Sequence, residues 1–390
     1  LNTLPAKRIA LFLPHLDVAG GLGVHARMLV RALARVTADC QYFVLHPADP
    51  AGLFPTTAAE RFDRSSADRR FSFHPIAIPN GFSLAEPLDP ILKQPLQPLK
   101  PDRLYCSYYT GMAKPPCPQR ITFHDAGFLE NPAGFGATAA VRTQTLAAIR
   151  SAIDSIHCIS HDARRRICER LPWDRSRTAM IWHALPDTEA SYAAAKSSAR
   201  PPGPTYFLSP VGAATGFNRQ RKNLPVAVSA FRKLNRPDVT FLIAGTATLN
   251  DRVLGELLPS GERGTIADGV WTSDDGRVVI KPTIERDEFL RQMRHAAAVV
   301  YPSRYEGFGI PVIEAMALGV PLIAARATSI PEIVGDAARL IDPDDLDGFA
   351  TAMNDVLNHD SASFIERGTQ RLELFHPARL GMAMAAWLMG

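Results

Sequence analysis

The stretch Ala297-Ala298-Val299-Val300-Tyr301-Pro302-Ser303-Arg304-Tyr305-Glu306-Gly307-Phe308-Gly309-Ile310-Pro311-Val312-Ile313-Glu314-Ala315-Met316-Ala317-Leu318-Gly319 decides the reading of the chain. It opens as a buried strand and breaks after Tyr301. Gly307 and Gly309 then allow positive φ or close approach of the backbone to a ligand. Pro311 suits the first turn of a helix, where its missing N–H costs nothing. The helix runs through Val312, Ile313, Ala315 and Met316 and stops near Gly319, a residue type favoured just past a helix end. Strand, glycine loop and helix N-terminus in that order offer unpaired N–H groups and a positive dipole end, a natural cradle for phosphate.

Two carboxylates bracket this loop. Glu306 and Glu314 on one unbroken helix would lie roughly 80° apart around the axis. The loop frees them to hold two parts of one elongated ligand, and carboxylates accept hydrogen bonds from hydroxyls, as a sugar or ribose would offer. Upstream, Thr205 to Pro210 reads as a strand, Val211 to Gln220 as a loop, and Arg221-Lys222-Asn223-Leu224-Pro225 as the opening of a helix to Leu234. Two cations at a helix start oppose its dipole, so an arriving anion would relieve the conflict.

Alternation of strand and helix runs through both halves, which predicts two parallel-sheet α/β domains. The length of 390 residues suits two domains, and the 46% hydrophobic content gives each a core. The net charge of +4 permits anionic partners without demanding them. No RNA-binding signature is present, so nucleic acid is not an expected partner. Five scattered cysteines without a C-x-x-C pair fit neither a disulfide framework nor a zinc site, and point to a reducing cytosol. No apolar run reaches membrane-spanning length. Leu1 to Lys7 lack a leader pattern, and the absent initiator Met points to a trimmed amino terminus.

Arg8 to Pro14 reads as the first strand, followed by a loop with Gly20-Gly21-Leu22-Gly23 and a helix over about Val24 to Arg35. Gly21-Leu22-Gly23-Val24-His25-Ala26 fits a dinucleotide fingerprint, but the loop before it is too long and the next strand ends in His46 rather than an acid. Residues 83–101, with many prolines, read as an irregular connection, and 246–276 as an irregular helix and a turn. Arg120 to Asp125 is a strand ending in His124-Asp125, at the edge where a doubly wound sheet meets its ligand. Arg164-Arg165-Arg166 reads as a solvated helix face, with an anionic lipid surface as the minor alternative. Residues 187–204, rich in Ala, Ser and Pro, read as a linker between domains 1–186 and 205–375, with 376–390 as a closing helix. Ser329-Ile330-Pro331-Glu332 fits a capping box. Asp342-Pro343-Asp344 reads as helix capping rather than a metal motif.

Pro302-Ser303-x-Tyr305-Glu306-Gly307-Phe308-Gly309-Ile310-Pro311-x-Ile313-Glu314-Ala315-Met316-Ala317-x-Gly319-x-Pro321, with Glu306-x7-Glu314 inside it, resembles the retaining glycosyltransferases of family 4, and the likeness continues through Ile330 to Ala338. The resemblance implies a GT-B fold: two Rossmann-like domains facing across a cleft, the last helix crossing back onto the first domain. It implies a nucleotide-sugar donor, with Glu314 on ribose, Arg221 and Lys222 on the diphosphate, and Glu306 with Gly307, Phe308, Gly309 and Ile310 on the sugar. Thr283 and Ile284 would frame the base. The family's usual Gly-Arg after the strand is here Gly212-Ala213, leaving Arg221, or less readily Arg219, to supply the guanidinium. Gly20 and Gly21 would lie near the donor diphosphate and acceptor, and His124 by the donor sugar.

The implied activity is retaining hexosyl transfer with no metal or other cofactor required. The His-Asp step and Arg-Lys-Asn-Leu resemble members that use GDP-mannose; a UDP-sugar is the alternative. The acceptor would be a glycan or lipid-linked intermediate of surface polysaccharide synthesis, the location cytoplasmic, with contact at the inner membrane face as a further expectation. An epimerase of the same fold, a silent carbohydrate-binding protein and an NAD-dependent dehydrogenase are the competing readings.

Overall fold

The computed structural model describes residues 6–18, 20–49, 62–79, 81–171, 173–186, 189–200, 202–211, 220–245, 249–282 and 284–390. The chain divides into two compact units, Leu1–Pro186 with Phe375–Gly390, and Asp187–Leu374. Thr283, Arg219 and Gly212-Ala213 lie outside the described residues.

In the first unit the strands are β1 (Lys7–Phe12), β2 (Cys40–Pro47), β3 (Phe71–Ile76), β4 (Arg103–Cys106), β5 (Gln119–Phe123), β6 (Ile153–Cys158) and β7 (Thr178–Met180). They pair in parallel in the order β3-β2-β1-β4-β5-β6-β7. Both faces of such a sheet are covered, so its central strands are apolar throughout. β1 shows why: Ala10 and Phe12 enter one core and Ile9 and Leu11 the other, by the two-residue alternation of a strand. The second core is completed by the helix Pro377–Met389, whose Leu380, Met384 and Leu388 pack with Leu29 and Leu33 of the helix Gly21–Ala34. Trp387 of that closing helix donates to Ser155 Oγ at 3.0 Å and stands edge-on to Tyr105.

Gly381 lets the two helices meet, since a methyl there would sit on the Ala32 carbonyl. Gly381→Ala is therefore expected to destabilise the first unit by about 1–3 kcal/mol, as overpacking does, read as a lower denaturant midpoint.

In the second unit the strands are β8 (Thr205–Pro210), β9 (Val239–Ala244), β10 (Gly264–Ala267), β11 (Val270–Ser273), β12 (Val278–Lys281), β13 (Ala298–Tyr301), β14 (Leu322–Ala325) and β15 (Arg339–Ile341), in the order β10-β11-β12-β9-β8-β13-β14-β15. The sheet is parallel from β12 to β15, and β10-β11-β12 pair antiparallel at one edge. The fold is α/β, with two Rossmann-like units.

Several local expectations are corrected. Residues 83–101 contain the helix Asp89–Leu99 despite Pro95 and Pro98 inside it. Burial of Ile91, Leu92, Leu96 and Leu99 outweighs the lost helical hydrogen bonds. Residues 246–276 hold the expected helix, Asp251–Leu257, but in place of the expected turn stands the β10–β11 hairpin, turned by Asp268 and Gly269, both with positive φ. The stretch read as a linker contains the helix Glu189–Ser197, packed against the helices Arg286–His295 and Ile310–Leu318. Its alanines are the strongest helix formers available. Asp345 caps the helix Leu346–Asn358, while Asp342 accepts from the Asp344 N–H. Among the described residues no helix is long and apolar enough to cross a membrane, and the five cysteines are free thiols.

Candidate functional site

In an open parallel sheet, ligands bind beyond the carboxyl ends of the strands where the strand order reverses direction. In the second unit that point lies between β8 and β13. The segment leaving β8 carries Arg221 and Lys222; the segment leaving β13 carries Glu306 and the glycines. Topology thus brings the two sequence motifs together.

The two segments are tied directly. The Arg304 N–H donates to the Arg221 carbonyl at 2.8 Å, and Arg221 Nη1 donates to the Tyr305 carbonyl at 2.7 Å. Asn223, at φ 57°, donates from its side chain to the carbonyls of Pro302 and Pro343 at 3.2 and 2.7 Å. The helix begins after it, at Leu224 with Pro225 in the first turn. Arg221 and Lys222 therefore precede the helix rather than open it, as the sequence had suggested.

Lys222 Nζ donates to Glu306 Oε1 at 2.8 Å, and Arg221 Nη1 approaches Glu306 Oε2 at 3.3 Å. Lys222 Nζ also reaches the Tyr301 hydroxyl at 3.3 Å and lies over its ring. Lys222 is 8% exposed and Glu306 7%. Burial alone would raise the Glu306 carboxyl; the Lys222 and Arg221 charges prevail and hold it at about 2. For Lys222, burial pushes the ammonium down, Glu306 partly restores it and Arg221 pushes it down again. In this cluster one carboxylate faces two cations, so its charge favours a further anion.

The glycine loop is held from behind. Thr328 Oγ1 accepts from the Glu306 N–H at 2.9 Å. Ser329 Oγ bonds the carbonyls of Glu306 and Phe308 at 3.0 and 3.2 Å. Ser329 makes no side-chain cap hydrogen bond to its helix, so the expected capping box is replaced by a clamp on the loop. Gly309 has φ 96° and starts the helix Ile310–Leu318, with Pro311 in the first turn and Gly319 closing it at φ 67°. Gly307 and Ile310 are partly exposed, and Phe308 is buried. A Cβ on Gly309 would lie 2.6 Å from Ile330 Cδ1. Gly309→Ala is expected to cost about 1–3 kcal/mol through strain at positive φ, measured as a lowered unfolding midpoint.

Glu314 is 2% exposed and paired with Arg286 from the helix Arg286–His295. Arg286 was missed in the sequence, although it carries the signal that marked Arg221 and Lys222: a cation in the first turn of a helix. Tyr301 and Thr328 were missed too, because nothing local distinguishes their side chains from ordinary core or turn residues, and Ser329 was read only as a helix cap. Ile284 is partly exposed just before Arg286 in the chain.

The first unit places Gly20, Gly21 and His124 at the carboxyl ends of its own strands. Gly20, at φ 93°, precedes the helix that begins at Gly21, and both are exposed. Neither would meet a heavy atom within 4 Å if it carried a Cβ. Gly23, by contrast, is packed against the Val18 carbonyl, and Arg27 Nη1 donates to the carbonyls of Leu16 and Val18 at 3.2 and 2.9 Å. Gly23 serves packing here, which removes the second glycine of the dinucleotide fingerprint. His124 Nε2 lies 2.8 Å from the Ser107 carbonyl, and the ring stands edge-on to His25 with centroids 4.7 Å apart. Burial lowers its pKa, against the Ser107 hydrogen bond. Asp125 accepts from the Gly127 N–H at 2.8 Å. The arginine triplet is engaged internally: Arg164 with Thr178, Arg165 with Asp162 and Glu169, Arg166 with Glu130 and Asp162.

Two Rossmann-like units with a cationic switch-point site in the second define the GT-B class. Solved structures that superpose over nearly the whole chain belong to it. Sucrose-phosphate synthase from Thermosynechococcus elongatus matches at TM-score 0.69 with 18% identity, covering 98% of each chain. WaaG, a glycosyltransferase involved in lipopolysaccharide biosynthesis, matches at TM-score 0.65 with 12% identity over 98% of this chain and 100% of its own. Such identities speak for the fold alone. Residues 210–359 match the family described as Glycosyl transferases group 1, and this stretch is a group 1 glycosyl transferase domain. An O-antigen chain mannosyltransferase B of Escherichia coli is 37% identical over 150 residues, 37% of this chain and 36% of that relative. The match thus spans about a third of the relative's length.

Proposed function

We propose that the protein is a retaining glycosyltransferase that moves a hexose, mannose from GDP-mannose in the favoured form, to a glycan or lipid-linked acceptor in surface polysaccharide synthesis. The observation that carries this reading is the buried Lys222–Glu306–Arg221 cluster beside the glycine loop, inside the stretch that matches the group 1 family. Similarity to a mannosyltransferase over 150 residues supports the choice of sugar.

In this mechanism the bond between the anomeric carbon and the diphosphate oxygen breaks, and the nucleoside diphosphate leaves with the electron pair. The acceptor hydroxyl oxygen bonds to the anomeric carbon on the face just vacated and gives its proton to the departing diphosphate oxygen on that face. Charge grows on the leaving diphosphate, where Arg221, Lys222 and the first N–H groups of the helix Ile310–Leu318 stabilise it. Glu306 fixes the two cations in place and offers its remaining lone pairs to sugar hydroxyls. Glu314, oriented by Arg286, accepts from the ribose hydroxyls, and Ile284 and Thr283 frame the base. Gly20, Gly21 and His124 are assigned to donor and acceptor by resemblance alone. None of these steps calls on a metal ion.

Arg286→Ala is expected to raise the KM for the donor about tenfold with a smaller change in kcat, because it disturbs binding remote from the reacting bond. Initial-rate kinetics with varied donor check this. The whole reading is tested by thermal-shift and calorimetric titration with GDP, UDP, ADP, TDP and NAD, followed by assay with the matching nucleotide sugar. Selective GDP binding and transfer from GDP-mannose support it. UDP preference would replace the donor, and failure to bind any nucleoside diphosphate would overturn the function.

A further inference from the structure

The first unit contains a histidine cluster of which the proposed transfer reaction uses only His124, leaving His25 and His183 without a role. His25 lies on the helix Gly21–Ala34, His124 follows β5, and His183 lies beyond β7. Their ring nitrogens come within 4.8 Å of one another. His25 is 1% exposed, His183 3% and His124 9%. The ring centroids of His25 lie 4.7 Å from those of both His124 and His183.

Hydrogen bonding determines which nitrogens carry lone pairs. A backbone carbonyl accepts only from N–H, so His124 is protonated at Nε2, which faces the Ser107 carbonyl, and its Nδ1 is the basic atom. The same logic starts a longer chain at His157. Its Nε2–H donates to the Ile181 carbonyl at 2.8 Å, so its Nδ1 accepts from Thr122 Oγ1 at 3.0 Å. Thr122 has then used its proton and accepts from the Tyr105 hydroxyl at 2.6 Å. Tyr105 in turn accepts from His25 Nε2–H at 3.3 Å. The relay leaves His25 with its lone pair on Nδ1, a buried atom with no hydrogen-bond partner among the described residues.

A buried basic nitrogen without a partner costs free energy unless something binds it. Three clustered neutral imidazoles, two with tautomers fixed by outer hydrogen bonds, are the donor set of a borderline divalent ion such as Zn2+. Tetrahedral coordination places ligand nitrogens about 3.3 Å apart, so the most distant pair, within 4.8 Å, needs to close by up to about 1.5 Å. We propose that His25, His124 and His183 bind one divalent transition-metal ion of the zinc type, with a fourth position left for water or a ligand oxygen. The ion would tie together three segments of the first unit at the carboxyl ends of its strands. The inference is independent of the donor chemistry in the second unit.

The test uses the untagged full chain, stripped with chelator and titrated with Co2+ and then Zn2+. One Co2+ per chain is expected, with the visible absorption of a four- or five-coordinate nitrogen-ligated ion, displaced by one equivalent of Zn2+. His25→Ala and His183→Ala should each weaken binding about 100-fold. Binding of the weak six-coordinate spectral type, or unchanged in both variants, overturns the proposal. Should a variant fail to fold, zinc-edge X-ray absorption of the wild-type protein decides: three imidazole nitrogens sustain the site, and fewer than three, or no ion retained, end it.

Discussion

Lys222→Ala is expected to reduce sugar transfer by at least about 100- to 1,000-fold, the usual cost of removing one preorganised group that meets developing charge. The loss should fall mainly on kcat, since the ammonium acts most strongly once the diphosphate begins to depart. Folding should survive, because Glu306 keeps Arg221 as a partner. Lys222→Arg tests geometry as well as charge: a planar fork does not replace a point charge seated over the Tyr301 ring. Steady-state kinetics beside a thermal melt separates the two effects, and wild-type-like turnover in Lys222→Ala would remove the second unit's cluster from the mechanism.

Glu306→Ala should abolish transfer and also destabilise the second unit. It leaves the buried Lys222 beside the part-buried Arg221 without their carboxylate, and breaking a buried ion pair on one side costs about 3–5 kcal/mol. Glu306→Gln keeps the volume and part of the hydrogen bonding, so it should melt above the alanine variant while remaining inactive. The pH dependence has a definite sign. The folded carboxyl titrates at about 2, below its ordinary value of 4.5. Its contribution is therefore fully present above about pH 4.5 and lost as pH falls toward 2. The stability gap between wild type and Glu306→Gln should narrow across that window, as followed by urea unfolding at several pH values.

How much of this was legible in the sequence depended on how local the physics is. The strand, glycine loop and proline-started helix from Tyr301 to Gly319 were readable because each feature rests on backbone preferences of neighbouring residues. Arg221 and Lys222 stood out because their charge is misplaced against a helix start. The helix Asp89–Leu99 was hidden because two prolines argued locally against it, whereas burial of its apolar face decided the matter. Ser329 was misread for the same reason: its local pattern is a cap, but the tertiary structure hands its hydroxyl to the glycine loop. Arg286 and Glu314 meet only through packing of two helices. His25, His124 and His183 are far apart in the chain, and only the strand order β1-β4-β5-β6-β7 gathers them.

The helix Pro377–Met389 has a bearing on biosynthesis. Its apolar face covers Leu29 and Leu33, and Lys7 Nζ bonds the Met389 carbonyl. On the ribosome the first helix emerges long before its cover, with a delay on the order of 20 to 70 s at ordinary elongation rates. Residues 187–374 form an uninterrupted segment and can condense during that interval. The amino-terminal half must wait as an incomplete intermediate with greasy surface showing, so the nascent chain rather than the finished molecule is where chaperone dependence and aggregation should concentrate.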